Sequence, residues 1–164
     1  SNMQLKTSPG TGPKVFISYR REDSPDVTGR IYDRLSDDLS ANHVFRDIDS
    51  IGAGEDFRHI IDREVSQCNV VLVIIGPNWL NATGPDGKPR LSSEMDFVRL
   101  EIEAALRRDI PVIPVLVTNA RMPTPDVLPP SIKDLAFRNG RTVSPDPGFH
   151  ADLTRLLRDI RMSR

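Results

Sequence analysis

A flavodoxin-like, doubly wound α/β sheet is the fold class this sequence predicts: five parallel strands in the order 2-1-3-4-5, with helices on both faces. Three observations carry it. Val70 to Ile75 is a run of six apolar residues, five of them β-branched, closed by Gly76-Pro77. A run that short, with no polar alternate face, reads as a strand covered on both sides. Val112 to Val117 is a second apolar run. Around these two, segments with helical apolar spacing alternate with short strand-like ones, as parallel strands joined by crossovers require. In such a sheet, ligands sit beyond the carboxyl ends of the strands, where the strand order reverses. Here that point lies between strands one and three, and Tyr19, Arg20, Asp47 with its loop, Asn78 and Trp79 converge on it.

The elements follow in order. Residues 1–13, with Pro9-Gly10-Thr11-Gly12-Pro13, read as a flexible leader opened by an expression scar, Ser1-Asn2-Met3; residues 14–164 form one domain. Strand one is Val15 to Tyr19. Ser24-Pro25-Asp26 starts the first helix, with Asp26 as its cap and Val27, Ile31, Leu35 and Leu39 at helical spacing. Strand two is short, His43 to Arg46, and leads into the loop Asp47 to Asp56, where Gly52 and Gly54 permit tight turns. Helix two spans about Glu55 to Ser66, with Phe57, Ile60, Ile61, Glu64 and Val65 in rhythm. After strand three comes a long polar insertion, Asn81 to Ser93, of the kind that is often functional or mobile. Helix three runs from about Glu94 to Arg108, strand four from Val112 to Val117. Pro123, Pro125, Pro129 and Pro130 preclude a long helix next, but Ser131 to Ala136 suits a short one. Strand five, Arg138 to Val143, and a last helix, Phe149 to Arg161, complete five strands and five helical segments.

Composition narrows the function. A net charge of -1 removes the electrostatic case for non-specific binding to nucleic acid or an anionic membrane. No apolar run approaches the ~20 residues of a membrane span. The single cysteine, Cys68, has no partner for an internal disulfide, which suits a reducing, cytoplasmic setting, and its place before a buried strand marks it as a packing thiol.

Three common occupants of the fold fail on inspection. Ser18-Tyr19-Arg20-Arg21 stands where a dinucleotide fingerprint needs G-x-G-x-x-G. Gly87-Lys88 runs into Pro89, so it is no P-loop. Strand three ends in Ile75-Gly76-Pro77 and lacks the aspartate of a phosphoacceptor. His43, His59 and His150 are dispersed, so no metal site is expected.

What remains is Glu101. On helix three the core stripe is Met95, Val98, Ile102, Ala105 and Leu106; Glu101 projects at its edge, with Phe97 one turn earlier on the same side. Arg99, Glu103 and Arg107 point away. A carboxylate beside an aromatic ring at a cleft rim suits cleavage of an N-glycosidic bond, because a fixed anion stabilises the oxocarbenium character that the ribose gains. Spacing alone favours the plainer reading, a solvated helix glutamate paired with a neighbouring arginine.

Val15-Phe16-Ile17-Ser18-Tyr19-Arg20-Arg21, followed by Phe45-Arg46-Asp47-Ile48-Asp49-Ser50-Ile51-Gly52-Ala53-Gly54-Glu55-Asp56-Phe57, resembles the first two sequence boxes of Toll/interleukin-1 receptor (TIR) domains. Asn78-Trp79-Leu80 and Phe97-Val98-Arg99-Leu100-Glu101-Ile102 extend the resemblance, which spans residues 14 to about 161 and is closest to the bacterial, nucleotide-consuming branch. It implies an NAD+ glycohydrolase that releases nicotinamide and leaves ADP-ribose or a cyclised form, as an effector of prokaryotic immune, antiviral or cell-death signalling. NAD+ is then the substrate, and no cofactor or metal is needed. The family's catalytic glutamate falls on Glu101. Its aromatic neighbour, usually tryptophan, is here Phe97, which keeps a stacking face and loses the indole N–H. Tyr19, Arg20, Asp47, Ser50, Phe57 and Trp79 fall on substrate-binding positions. Ile51, Gly52, Ala53 and Gly54 fall in the loop through which the family self-associates, commonly completing the site across two subunits. Plainer readings stand beside these: Tyr19 as a sheet-edge cap, Arg20 paired with Asp47, Phe57 as core, Trp79 packed under a loop. Some TIR domains are adaptors without catalysis, or virulence factors that imitate host adaptors, and the same loop would serve that role.

Overall fold

The computed structural model describes residues 12–47 and 51–163. Five parallel strands pair in the order β2-β1-β3-β4-β5: β1 (Val15–Ser18), β2 (Val44–Phe45), β3 (Val70–Ile75), β4 (Val112–Val117) and β5 (Arg141–Val143). Four α-helices cover them: α1 (Pro25–Leu39), α2 (Phe57–Ser66), α3 (Phe97–Arg107) and α4 (Phe149–Met162). The expected architecture is therefore present. The period-two geometry of a strand explains why its sequence needed no polar face. Val70, Leu72 and Ile74 join Val15 and Ile17 against Ile31 and Leu35 of α1 and Leu153 and Leu157 of α4. Val71, Val73 and Ile75 join Phe16 on the opposite side, against Ile61 and Val65 of α2 and Val98 and Ile102 of α3. Each fully buried side chain of this kind contributes about 1.5–3 kcal/mol relative to exposure.

β3 and β4 keep the expected limits, β1 stops one residue early, and the edge strands are shorter. Their limits follow their pairing: β2 ends at Phe45 opposite Phe16, and β5 begins at Arg141 opposite Val115. Tyr19 lies beyond β1. The crossover from β4 to β5 contains no α-helix: two 3-10 segments, Pro125–Val127 and Pro130–Phe137, replace it, because four prolines leave too few backbone donors for a longer ladder. α1 begins one residue before Asp26, so Ser24 occupies its cap position, without a side-chain bond, and Asp26 lies in the first turn, where its charge suits the helix dipole.

α3 starts later than expected. The Asp96 carboxylate accepts the Arg99 N–H at 3.1 Å and caps the helix, which leaves Met95 outside it and 53% exposed rather than in the core stripe. Cys68 is buried, and burial pushes its thiol up to about 12, too high for a nucleophile at neutral pH. No helix among the described residues is long and apolar enough to cross a membrane.

Candidate active site

A cleft of about 460 Å³ opens at the carboxyl ends of β1 and β2, beneath the first turns of α3. Tyr19, Arg20 and Arg21 enter it from β1, Arg46 and Asp47 from β2, and Phe97, Val98 and Glu101 from α3. The sequence delivers these groups because both strands end in polar residues at the sheet edge and α3 turns one face across it. Phe97 is 45% exposed, whereas Glu101, one turn further in, is only 8% exposed. Phe57, the first residue of α2, stacks on Phe97 with centroids 5.2 Å apart and planes at 28°. Its role is to brace the exposed ring from behind, and it lines no part of the cleft itself. Asp56 caps α2 by accepting the Arg58 N–H, which fixes where Phe57 stands.

Burial governs the electrostatics at Glu101. Desolvation pushes its carboxyl up from 4.5 to about 8; the Ser18 hydroxyl opposes the rise, the charges of Asp96 and Asp47 add to it, and Arg20 again opposes it. The Ser18 hydroxyl faces the carboxyl without reaching ordinary hydrogen-bond geometry. At neutral pH the Glu101 carboxyl therefore favours its neutral acid form. Asp47 is held at the opposite wall, accepting bonds from the Tyr19 hydroxyl and from Arg21, both at 3.2 Å.

The predicted residues divide. Glu101, Phe97, Tyr19 and Asp47 meet in the cleft. Arg20 is present but occupied: its guanidinium donates two bonds to Asp96, at 3.0 and 2.8 Å, with both side chains buried. It neither pairs with Asp47 nor offers a free fork to a ligand; Arg21 takes the Asp47 position instead. Trp79 is not at the rim. It is 1% exposed, packs in the α2–α3 core, and borders a separate depression beside Gly76, Pro77 and Met122. A single large apolar ring gains more from core packing than from a wet edge. Ser50 lies outside the described residues. Of the interaction loop, Gly52, Ala53 and Gly54 are exposed, and Gly54 sits at φ +81°, a conformation that L side chains rarely adopt.

Two residues that hold the walls of the cleft in place escaped sequence reasoning. Asp96 is one; an acidic residue just before an apolar helical stripe was the available signal. Asp23 is the other. Its carboxylate accepts the N–H groups of Gly76 (2.8 Å) and Asn78 (2.7 Å), tying the turn after β1 to the end of β3. Arg90, from the polar insertion, also reaches the cleft and lies 2.7 Å from Glu22. Among the described residues no cluster of three or more histidine, cysteine or acidic side chains could hold a metal ion.

Comparison with known proteins agrees with this fold. The TIR domain family model matches residues 15–157. Among solved structures, the TIR domains of the activated Roq1 resistosome, which directly recognizes the pathogen effector XopQ, are similar to this chain. The TM-score is 0.63 at 14% identity, over 91% of this chain and 99% of that one, a likeness of fold. No curated protein matches.

Proposed function

Because this chain belongs to the TIR domain family, we propose that its cleft cleaves the nicotinamide–ribose bond of NAD+. One observation carries the reading: a buried carboxyl, Glu101, at the floor of an open cleft, one turn below an exposed aromatic ring. A volume of about 460 Å³ lies within the range of small-molecule sites. Phe97, braced by Phe57, offers a stacking face to the nicotinamide or its ribose. Tyr19 and Asp47 offer polar groups on the far wall.

The chemistry follows from the charge on Glu101. Nicotinamide is cationic while bonded to ribose, and that charge favours the Glu101 carboxylate over the acid. As the N-glycosidic bond lengthens, positive charge moves onto the ribose, and a fixed anion beside it lowers the barrier. Nicotinamide leaves with the bonding pair. Water adds to the anomeric carbon and gives ADP-ribose plus a proton; a nucleophile within the same molecule gives a cyclic product instead. No metal enters these steps. Activity as an effector of bacterial immune or cell-death signalling, in the cytoplasm and through self-association, belongs to this proposal.

The test is nicotinamide release by concentrated protein, wild type against Glu101→Ala. Release that depends on Glu101 is the expected result; equal release from both would end the assignment. The adaptor reading draws on a different feature, the exposed loop with Gly54 at positive φ. It predicts binding between TIR domains that survives Glu101→Ala and is lost on Gly54→Val.

A further inference from the structure

Glu101 and Asp96 belong to one rigid helix, five residues apart, which places them about 7.5 Å from each other along its axis. Whatever anchors Asp96 therefore anchors Glu101. Asp96 is held twice: as the cap that accepts the Arg99 N–H, and as the acceptor of both guanidinium bonds from Arg20. Arg20 is itself fixed, since its carbonyl accepts the N–H groups of Asp23 (2.9 Å) and Ser24 (3.1 Å) two residues beyond β1. A bidentate pair between the turn after β1 and a helix cap allows α3 little freedom to turn or slide.

We infer that Asp96, through its buried pair with Arg20, is a positioning residue for Glu101: it fixes where that carboxyl stands and governs its charge. The inference deepens the proposed glycohydrolase reading and depends on it only for its kinetic arm. The groups facing Glu101 are Asp96 on its own helix, Ser18 and Arg20 at the end of β1, and Asp47 after β2. Tyr19, Arg21, Glu22, Arg46 and Arg90 line the remaining wall. Among the charges, Asp96 acts most strongly, favouring the acid, and Arg20 acts more weakly in the opposite sense. A pair placed too far from Glu101 to act on it would leave the proton on Glu101 indifferent to the charge on Asp96.

Asp96→Asn separates the two roles, because the amide oxygen still caps α3 while the charge is gone. The experiment is a pH titration of the Glu101 side-chain carboxyl carbon by NMR, run beside nicotinamide release. The expected midpoint for Asp96→Asn lies below that of wild type, and the pH profile of kcat/KM moves in the same direction. Asp96→Glu restores the charge but misplaces the cap. For it the midpoint returns toward wild type, while kcat falls roughly tenfold or more with KM little changed. Asp96→Asn leaves Arg20 unpaired and buried; should it fail to fold, Arg20→Leu/Asp96→Asn removes both charges and keeps the cap, and its midpoint is also expected below wild type. An unchanged midpoint in the folded charge-removing variant overturns the inference. A wild type that releases no nicotinamide ends the glycohydrolase reading alone, and the titration still decides this one.

Discussion

The two ends of α3 are each tied to the rest of the protein by arginine–aspartate pairs, and burial makes them different devices. At the first turn, Arg20 and Asp96 are 3% and 6% exposed. At the last turn and the residue after it, Arg107 and Arg108 reach Asp62 of α2 at 2.7 and 2.6 Å, but both arginines stay largely in solvent, 61% and 44% exposed. The nearby carboxyls show the contrast. The hydrogen bond from Arg108 holds Asp62 down at about 2, against desolvation. Glu101, without a direct ionic partner, is carried up to about 8 by burial. The same chemical groups clamp a helix at its wet end and bear on the charge of a buried acid at its dry end.

The sharpest way to break the comparison is at the dry end. Arg20→Met leaves the Asp96 carboxylate buried without its partner, and urea unfolding should show a loss of about 3–5 kcal/mol. Glu101→Gln should lower nicotinamide release by about 10²–10³-fold while the domain stays folded by circular dichroism. Stability against pH comes next. The Glu101 carboxyl in the folded state holds its proton more tightly than in the unfolded chain. Its contribution is therefore full below 4.5 and is lost as pH rises toward about 8. Wild type should weaken by roughly 1 kcal/mol for each pH unit across that window, and Glu101→Gln should flatten the slope. The wet end should barely respond. Asp62→Asn should cost about 1 kcal/mol or less, with added salt shrinking the difference. Its sign is opposite: Asp62 stabilises above 3.8 and is lost as pH falls through about 2. An Asp62 variant as damaging as Arg20→Met would collapse the distinction.

Much of this was legible in the chain before its fold was known. β3 and β4 could be bounded to the residue because both faces of an inner strand must be apolar, so the run ends where the strand does. β5 could not, since an edge strand ends where its neighbour stops pairing, and nothing at Arg138 announces that. Glu101 and Phe97 stood out through helical spacing and resemblance. Arg20 was misread because its partner is 76 residues away, and local pattern carries no record of which carboxylate a guanidinium meets across a fold. Trp79 misled for a related reason: position at a strand end does not say whether the ring turns inward or outward.

Asp23 carries a consequence for the history of this sequence. A methyl group added at Gly76 would stand 2.5 Å from the Asp23 carboxylate, so a side chain there would push that carboxylate off the two amide groups it accepts. Losing Asp23 first would strand two amide donors beside the central strand. A change at either position therefore bears on what the other can become, although neither touches the reacting atoms.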